Sequence, residues 1–268
     1  MQVVFLTLLF ALGACLGSYL CCQVRRYYIQ SKGKGKKLGS RSVCLNCNYR
    51  LKWHDNIPIL SWLFLRGKCR KCGKKIGLAE LLSELGLGLA FLALGTTIDP
   101  STASILEWAI FVSILFLTLV LGFLAIYDGL YGQLPTTCLT ISIICAIIIL
   151  CLKEWLTLSI SSFSPEIILK PLGAVAILGG LYLVLYLASK GKWVGDGDWL
   201  LGTALGLALA DPWLALVTLF IANVLACLVM APILKKNKRK KIYFGPFMVI
   251  AFVVTLTFAD FFYYAIGG

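Results

Sequence analysis

Charged side chains are scarce in this sequence. They make up 14% of its 268 residues, whereas hydrophobic residues make up 60%. So few charges exclude an ordinary soluble domain and predict a protein that crosses the membrane several times. Histidine is almost absent, with His54 as the single one, so no histidine-based catalytic triad can be proposed. The sequence also shows no internal repeat and no low-complexity tract.

The N-terminus lacks the basic stretch with which a secretory signal begins. Its apolar stretch, residues 3–19, is followed and not preceded by Arg25 and Arg26. We therefore expect a first spanning helix that remains in the protein.

Eight apolar segments approach the length of about 20 residues that a spanning helix needs. The predicted fold class is an all-α polytopic membrane protein with about eight transmembrane helices. The sixth segment is short, and with the turn at Asp211-Pro212 it could instead form one broken helix with the seventh. The predicted spans are residues 2–24, 78–98, 105–127, 135–152, 167–189, 198–210, 213–234 and 245–266.

Basic residues are plentiful, and their distribution predicts the orientation. The net charge is +13, and of the 25 Lys and Arg residues 15 lie between Arg25 and Lys75 and six in residues 235–241. Loops this basic stay in the cytoplasm under the positive-inside rule, which puts the N-terminus outside. Alternating loops then leave 23 of the 25 basic residues inside, with Lys153 and Lys170 as the exceptions. The predicted inside segments are 25–77, 128–134, 190–197 and 235–244, and the outside ones are 99–104, 153–166 and 211–212.

These basic loops predict membrane lipids as partners, because anionic headgroups attract Lys and Arg near the bilayer surface. Nucleic acid is not expected as a partner, since no aromatic-basic module accompanies the charge.

Residues 25–77, which we call the cysteine module, form the one sizeable segment outside the apolar spans. Two CxxC pairs stand in it, 21 residues apart, with Gly73 directly after the second. Pairs at this separation predict a tetrahedral zinc site in which all four ligands are thiolates, so the metal is structural. Disulfides or unrelated free thiols are the alternatives, and a cytoplasmic location disfavours disulfides. The four predicted ligands are Cys44, Cys47, Cys69 and Cys72.

The other seven cysteines lie in or beside the apolar spans, and each is expected to be a small buried hydrophobic residue. With four thiolates available, His54 is not expected to bind the metal. The predicted domains are the first transmembrane helix (1–24), a cytoplasmic zinc-binding domain (25–77) and a transmembrane catalytic helical bundle (78–268).

Two aspartates stand at the ends of apolar segments on the predicted cytoplasmic side. Asp128 ends the third span, and Asp198 opens the sixth within Gly195-Asp196-Gly197-Asp198. An ionisable group beside hydrocarbon tends to be retained for chemistry or transport. Each also has an ordinary interpretation, Asp128 as a loop or N-cap residue and Asp198 as the N-cap of span six. Calcium is not indicated, because the other ligands of a calcium loop are absent.

As a pair, these aspartates suggest hydrolysis. Two carboxylates within hydrogen-bonding distance share one proton. The ionised one can then act as general base on a water molecule, while the protonated one polarises a carbonyl. The rival interpretation is an ion- or proton-coupled transporter, which predicts acids near the bilayer midplane and repeated halves.

Over nearly its whole length the chain resembles the prepilin peptidases (type IV leader peptidases), membrane aspartic proteases of the GxGD kind. The matching order of elements makes the resemblance specific. These elements are Gly17-Ser18-Tyr19, the CxxC pairs, Asp55 to Trp62, Leu65 to Arg70, Glu80-Leu81-Leu82, Asp128 with Leu134-Pro135, Gly195-Asp196-Gly197-Asp198 and Phe244-Gly245-Pro246-Phe247.

The resemblance implies that Asp128 and Asp198 are the catalytic pair, with Gly195 and Gly197 supporting the motif and Asp196 in its variable position. It implies cleavage at the cytoplasmic face of the bacterial cytoplasmic (inner) membrane, just before the hydrophobic segment of prepilins or type II secretion pseudopilins, which removes a short basic leader. Many members then methylate the new N-terminal amine with S-adenosylmethionine, and those members carry the cysteine module.

The chain departs from the family pattern at two positions, since Leu200 replaces the usual Lys and Val194 the common Met. Because of Leu200, a zinc-module scaffold without activity is a further alternative. Two interpretations stay open for Glu80, at the start of span two. It is an interfacial carboxylate near many lysines, as is Glu84, or it contacts a cofactor or a substrate amine.

Overall fold

The computed structural model describes residues 1–32, 42–44, 46–160, 164–192, 194–236 and 243–267. Across these ranges the secondary structure is helical, and the predicted all-α fold is confirmed. The α-helices are α1 (Gln2–Ser31), α2 (Leu60–Phe64), α3 (Leu78–Gly95), α4 (Ile105–Tyr131), α5 (Thr136–Ile160), α6 (Glu166–Val175), α7 (Leu181–Ser189), α8 (Asp196–Leu209), α9 (Pro212–Lys236), α10 (Gly245–Thr257) and α11 (Ala259–Gly267).

The chain divides into two compact units, residues 1–95 and residues 96–268. In the first unit α1 and α3 pack antiparallel, with Gly13 against the backbone of Leu87 and Gly17 against that of Ser83. Small residues allow two helices to approach this closely in a membrane. The helix α3 thus shares a unit with α1, whereas the predicted boundaries at residues 24 and 77 remain a prediction.

The second unit is built around α8, a helix rich in small residues and buried along most of its length. A Cβ on Gly202 would lie 2.5 Å from the carbonyl oxygen of Leu178, and one on Gly206 would lie 2.8 Å from that of Ala174. The α6 and α7 helices are joined by a π-helical turn at Ala176–Gly180, and this turn packs against α8. Gly202 and Gly206, four residues apart on one face of α8, therefore allow α8 to pack directly against the backbone of its neighbours.

Six helices in the described part of the chain are long and apolar enough to cross a membrane, and α10 with α11, bent by 74°, can supply a seventh span. The protein is therefore a multi-pass membrane protein. The sixth predicted span corresponds to α8, which has only 14 residues. It is a helix separate from α9, because Ala210 takes a left-handed conformation (φ 59°) and Asp211 accepts hydrogen bonds from the first N–H groups of α9.

Candidate functional site

The two CxxC pairs form two turns of the same geometry. In the first, Cys44 N–H donates to the carbonyl of Tyr49 and Asn48 N–H donates back to the carbonyl of Cys44. In the second, Cys69 and Gly73 repeat both bonds, with Lys74 as the acceptor for Cys69. Asn48 and Gly73 occupy the same place and share a positive φ, 54° and 68°. Gly73, which follows the second CxxC pair in the sequence, is therefore the residue whose positive φ closes the second turn.

The four cysteine sulfurs converge in a way that fits a zinc ion. All lie within 4.8 Å of one another, and the closest distances, from Cys44 to Cys72 and from Cys47 to Cys69, are each 3.9 Å. Four thiolates about 2.3 Å from a tetrahedral zinc stand about 3.8 Å apart. These residues could therefore hold the metal with only small shifts of their side chains.

The turns also change the acidity of individual thiols. The backbone N–H of Lys74, followed by the side chain of Asn46, lowers the pKa of Cys72 to about 6. For Cys47 the N–H of Tyr49 acts to lower the pKa, but desolvation and the three neighbouring sulfurs together raise it to about 11. A cation placed among the sulfurs removes that repulsion, because it stabilises every thiolate at once.

Asp55 connects Lys52, in the middle of the cysteine module, with Arg70 in the second turn. Its side chain is fully buried and accepts hydrogen bonds from Arg70 Nε at 2.7 Å and from Lys52 N–H at 3.1 Å. Burial acts to raise the pKa of Asp55, but the hydrogen bonds from Arg70 and Lys52 outweigh it and hold the pKa below its ordinary value. Since Arg70 lies between Cys69 and Cys72, this ion pair supports the metal-binding turn.

Glu80 and Glu84 face the cysteine module from the first turns of α3. Glu80 Oε1 lies 2.6 Å from Arg25 Nη2, and Glu84 Oε2 accepts the N–H of Ile59 at 2.6 Å. Glu84 is buried, and Glu80 is mostly covered, with a side chain 24% exposed. Neither is thus a freely solvated interfacial carboxylate.

Asp128 lies in the last turn of α4, where it is 6% exposed. Its Oδ2 accepts the N–H of Gly245, the first residue of α10, at 3.0 Å. A Cβ on Gly245 would lie 2.9 Å from the same oxygen, so a larger residue there would displace the Asp128 carboxylate from its present position. The α4 helix then stops at Gly132, whose φ of 66° is left-handed.

Asp198 is the third residue of α8, whose N-cap is Gly195. Its Oδ2 accepts the N–H of Gly195 at 2.9 Å, so Asp198 bonds back to the cap instead of being the cap itself. Gly197 is buried, and a Cβ there would lie 2.7 Å from Leu134 Cβ. Asp196 is exposed.

The structure brings the two aspartates to the same end of the second unit. Gly197 packs on Leu134, just beyond the end of α4, and Gly245 bonds to Asp128. We call Asp128, residues 195–198 and Gly245 the aspartate site.

Tyr182, in the first turn of α7, is a neighbour of the site that the sequence reasoning missed. It is 5% exposed, and its ring lies 5.4 Å from that of Phe244, the residue before Gly245. Its hydroxyl is buried near the side chain of Asn223. The available signal was a tyrosine within an apolar stretch, where a hydroxyl needs a partner.

Comparison with known proteins identifies the family to which the chain belongs. Residues 11–98 match the family described as Bacterial Peptidase A24 N-terminal domain. The protein named prepilin leader peptidase/N-methyltransferase of Aeromonas hydrophila is 31% identical over 223 residues, which cover 82% of this chain and 72% of that protein. The chain belongs to the prepilin leader peptidase/N-methyltransferase family.

Other members of the prepilin leader peptidase/N-methyltransferase family match to different extents. The Burkholderia pseudomallei protein is 30% identical over 233 residues, 85% of this chain and 70% of that protein. The Myxococcus xanthus protein is 42% identical over 89 residues, 33% of this chain and 25% of that protein. No solved structure matches the chain significantly. The resemblance drawn from the motifs is thus confirmed at the level of the family.

Proposed function

We propose that this member of the family is an aspartic endopeptidase that removes the leader from prepilins or type II secretion pseudopilins. The observation that carries the proposal is the aspartate site, in which Asp128 and Asp198 lie at the same end of the second unit and each accepts one backbone N–H. The names of the relatives, prepilin leader peptidase/N-methyltransferase, support the substrate class.

In the proposed reaction the aspartate pair shares one proton. The ionised carboxylate takes a proton from water as the water oxygen attacks the scissile carbonyl, and the other carboxyl group donates its proton to the carbonyl oxygen. When the tetrahedral intermediate collapses, the carboxyl group that took the proton from water donates it to the leaving amine, and the other carboxylate takes back the proton from the hydroxyl of the intermediate, so the pair again holds one proton. The N–H groups of Gly245 and Gly195 hold one oxygen of each aspartate, which fixes the orientation of both.

We place this site at the cytoplasmic face of the inner membrane, on the basis of the Lys and Arg distribution in the loops. The substrate is itself a membrane helix with a polar leader. Confinement to the same bilayer raises its local concentration, which lowers the demand for a deep binding pocket.

We assign the four cysteines a structural zinc ion, since their sulfur distances fit a tetrahedral site with no open position. We also propose that the chain methylates the new N-terminal amine, with S-adenosylmethionine as the methyl donor, because its relatives are named N-methyltransferases.

The transporter interpretation is not favoured. Asp128 lies in the last turn of its helix and Asp198 in the first turn of its own, and neither stands in the middle of a helix. A carried ion would need acids along a path through the bundle.

Leader removal from a co-expressed prepilin tests the proposal. We expect Asp128→Asn and Asp198→Asn each to lower the cleavage rate by about 10²–10⁴-fold, the range that general acid–base groups contribute. Asp196→Asn is the matched control, two residues from Asp198 and exposed, and should retain most of the activity. If Asp196 proved essential while Asp198 did not, the assignment within the motif would be wrong.

A further inference from the structure

The short helix α2, in the cysteine module, carries large apolar side chains on its outer face. Leu60, Leu63 and Phe64 are 52%, 54% and 84% exposed, and they follow the i, i+3, i+4 spacing of one helix face. Ser61 and Trp62, between them in the sequence, instead line a cavity that also touches the ends of α1 and α3. The helix thus has one side turned to the protein and one apolar side turned outward, and an apolar patch of this kind indicates contact with another surface.

The depth of α2 follows from its hydrogen bond to α3. Ile59, the N-cap of α2, donates its N–H to Glu84 Oε2 at 2.6 Å. Glu84 is the seventh residue of α3 and lies about 9 Å from its start. With 18 residues α3 is about 27 Å long, so it needs its whole length to cross about 30 Å of hydrocarbon. The beginning of α2 therefore lies beside a turn of α3 that is inside the membrane.

Two further features of the first unit fit a lipid partner for α2. The first turns of α3 also expose large apolar side chains, Leu78 at 61% and Leu82 at 65%, as expected where a helix meets acyl chains. Arg66 and Lys68, both exposed, follow directly after α2. Basic side chains at the bilayer surface attract anionic headgroups, and an apolar helix face beside them is typical of a helix that lies in the interface.

We propose that α2 is inserted into the leaflet on the side of the cysteine module, with Leu60, Leu63 and Phe64 against phospholipid acyl chains. Arg66 and Lys68 then lie among the headgroups. The predicted cytoplasmic segment 25–77 thus has a part that enters the bilayer. Cys69 follows Phe64 by five residues, so the inserted helix holds the second cysteine turn close to the membrane surface.

The hydrophobic segment of a substrate is the other occupant that this face could take. It is less favoured, because an apolar face at membrane depth is in contact with lipid whenever no protein covers it. The inference is independent of the proposed function, since it depends only on the position of α2 relative to the bilayer.

Photo-crosslinking to lipid tests the inference. The photoreactive p-benzoylphenylalanine replaces Phe64 in the full-length chain, which is reconstituted in nanodiscs of phosphatidylethanolamine and phosphatidylglycerol, and the adducts are identified by mass. We expect a phospholipid adduct in a yield within about twofold of that from the same probe at Leu82, because both side chains meet acyl chains. Arg50, an exposed charged residue of the same module, is the matched control, and a probe there should lose the lipid adduct.

Three results at Phe64 would overturn the inference. One is the absence of a lipid adduct while the probe at Leu82 gives one. Another is an adduct with a peptide from residues 96–268, which would mean that the second unit covers this face. The third is seen when a prepilin is reconstituted with the chain, and it is a prepilin adduct in place of the lipid adduct, which would assign the face to the substrate.

Leu60 provides a second position for the probe if the variant at Phe64 does not fold. It lies one turn earlier on the same face of α2. We expect a phospholipid adduct from Leu60 as well, and its loss would contradict insertion of the helix.

Discussion

At the scale of single residues, Asp55 shows how a buried charge can support a metal site without binding the metal. Its side chain is fully buried and holds Arg70 between two of the cysteines. Replacing it with asparagine removes the charge that pairs with Arg70 and one of the two oxygens that accept from Arg70 and Lys52. A lost hydrogen bond to a charged group costs about 1.5–3 kcal/mol.

We therefore expect Asp55→Asn to destabilise the cysteine module by about 1–3 kcal/mol. Chemical unfolding followed by zinc release would measure this difference from the wild type. Asp99→Asn is the control, because Asp99 is an exposed loop residue of the other unit whose pKa is also lowered, there by hydrogen bonds from Ser101.

The sign of the pH dependence follows from the lowered pKa of Asp55. A carboxylate whose pKa is lower in the folded state stabilises the fold above its ordinary pKa, about 3.9, and loses that contribution as the pH falls through the lower value. The difference between Asp55→Asn and the wild type should therefore be the same at pH 7 and pH 5.5. A difference that shrinks over this interval would contradict the lowered pKa.

At the scale of elements, the two cysteine turns are duplicates whose four sulfurs converge on one centre. We expect one zinc ion per chain, lost in the double variant Cys44→Ser with Cys69→Ser, which removes one ligand from each turn. Elemental analysis of the purified protein would measure it. Cys138→Ser, in the first turn of α5, is the control and should retain the ion. A metal-free wild type would remove the zinc assignment.

Zinc retention against a chelator should also fall as the pH is lowered, because protons compete with the metal for the thiolates. Retention that did not depend on pH at all would indicate ligands other than these thiolates.

Features that depend on residue spacing or on charge could be predicted from the sequence. Features that depend on packing between distant segments could not. The CxxC spacing predicts the converging sulfurs, and the basic loops predict that Asp128 and Asp198 share a side. The bond from Gly245 to Asp128 could not be predicted, because it joins segments 117 residues apart. Tyr182 was missed for the same reason, since its place beside Phe244 depends on how α7 packs.

At the scale of the whole second unit, the short α8 has to connect the two ends of the helix bundle. Its first turn lies beside Leu134, at the aspartate site, and the carbonyl of Ala208 near its last turn accepts a hydrogen bond from Lys153, 2.8 Å away. Lys153 lies about five turns along α5 from its first residue, Thr136. With 14 residues α8 is about 21 Å long, against about 30 Å of hydrocarbon. Its burial in the bundle explains how so short a helix can do this, because neighbouring helices and not lipid surround it.

The path of the chain through α8 and α9 predicts on which side of the membrane two loops lie. If α8 leads away from the aspartate site, the turn at Ala210 and Asp211 lies outside, and α9 returns the chain to the cytoplasm before Gly245 meets Asp128. A protease site inserted between Ala210 and Asp211 of the otherwise intact chain should be cut by protease added to spheroplasts. One inserted at residues 239–240 should be cut only after lysis, and one in the loop at 99–104 serves as the outside control. The reverse pattern, with the site at residues 239–240 cut in spheroplasts and the site at Ala210 protected until lysis, would mean that α8 does not cross. The basic segment before α10 would then lie on the wrong side for the aspartate site to be cytoplasmic.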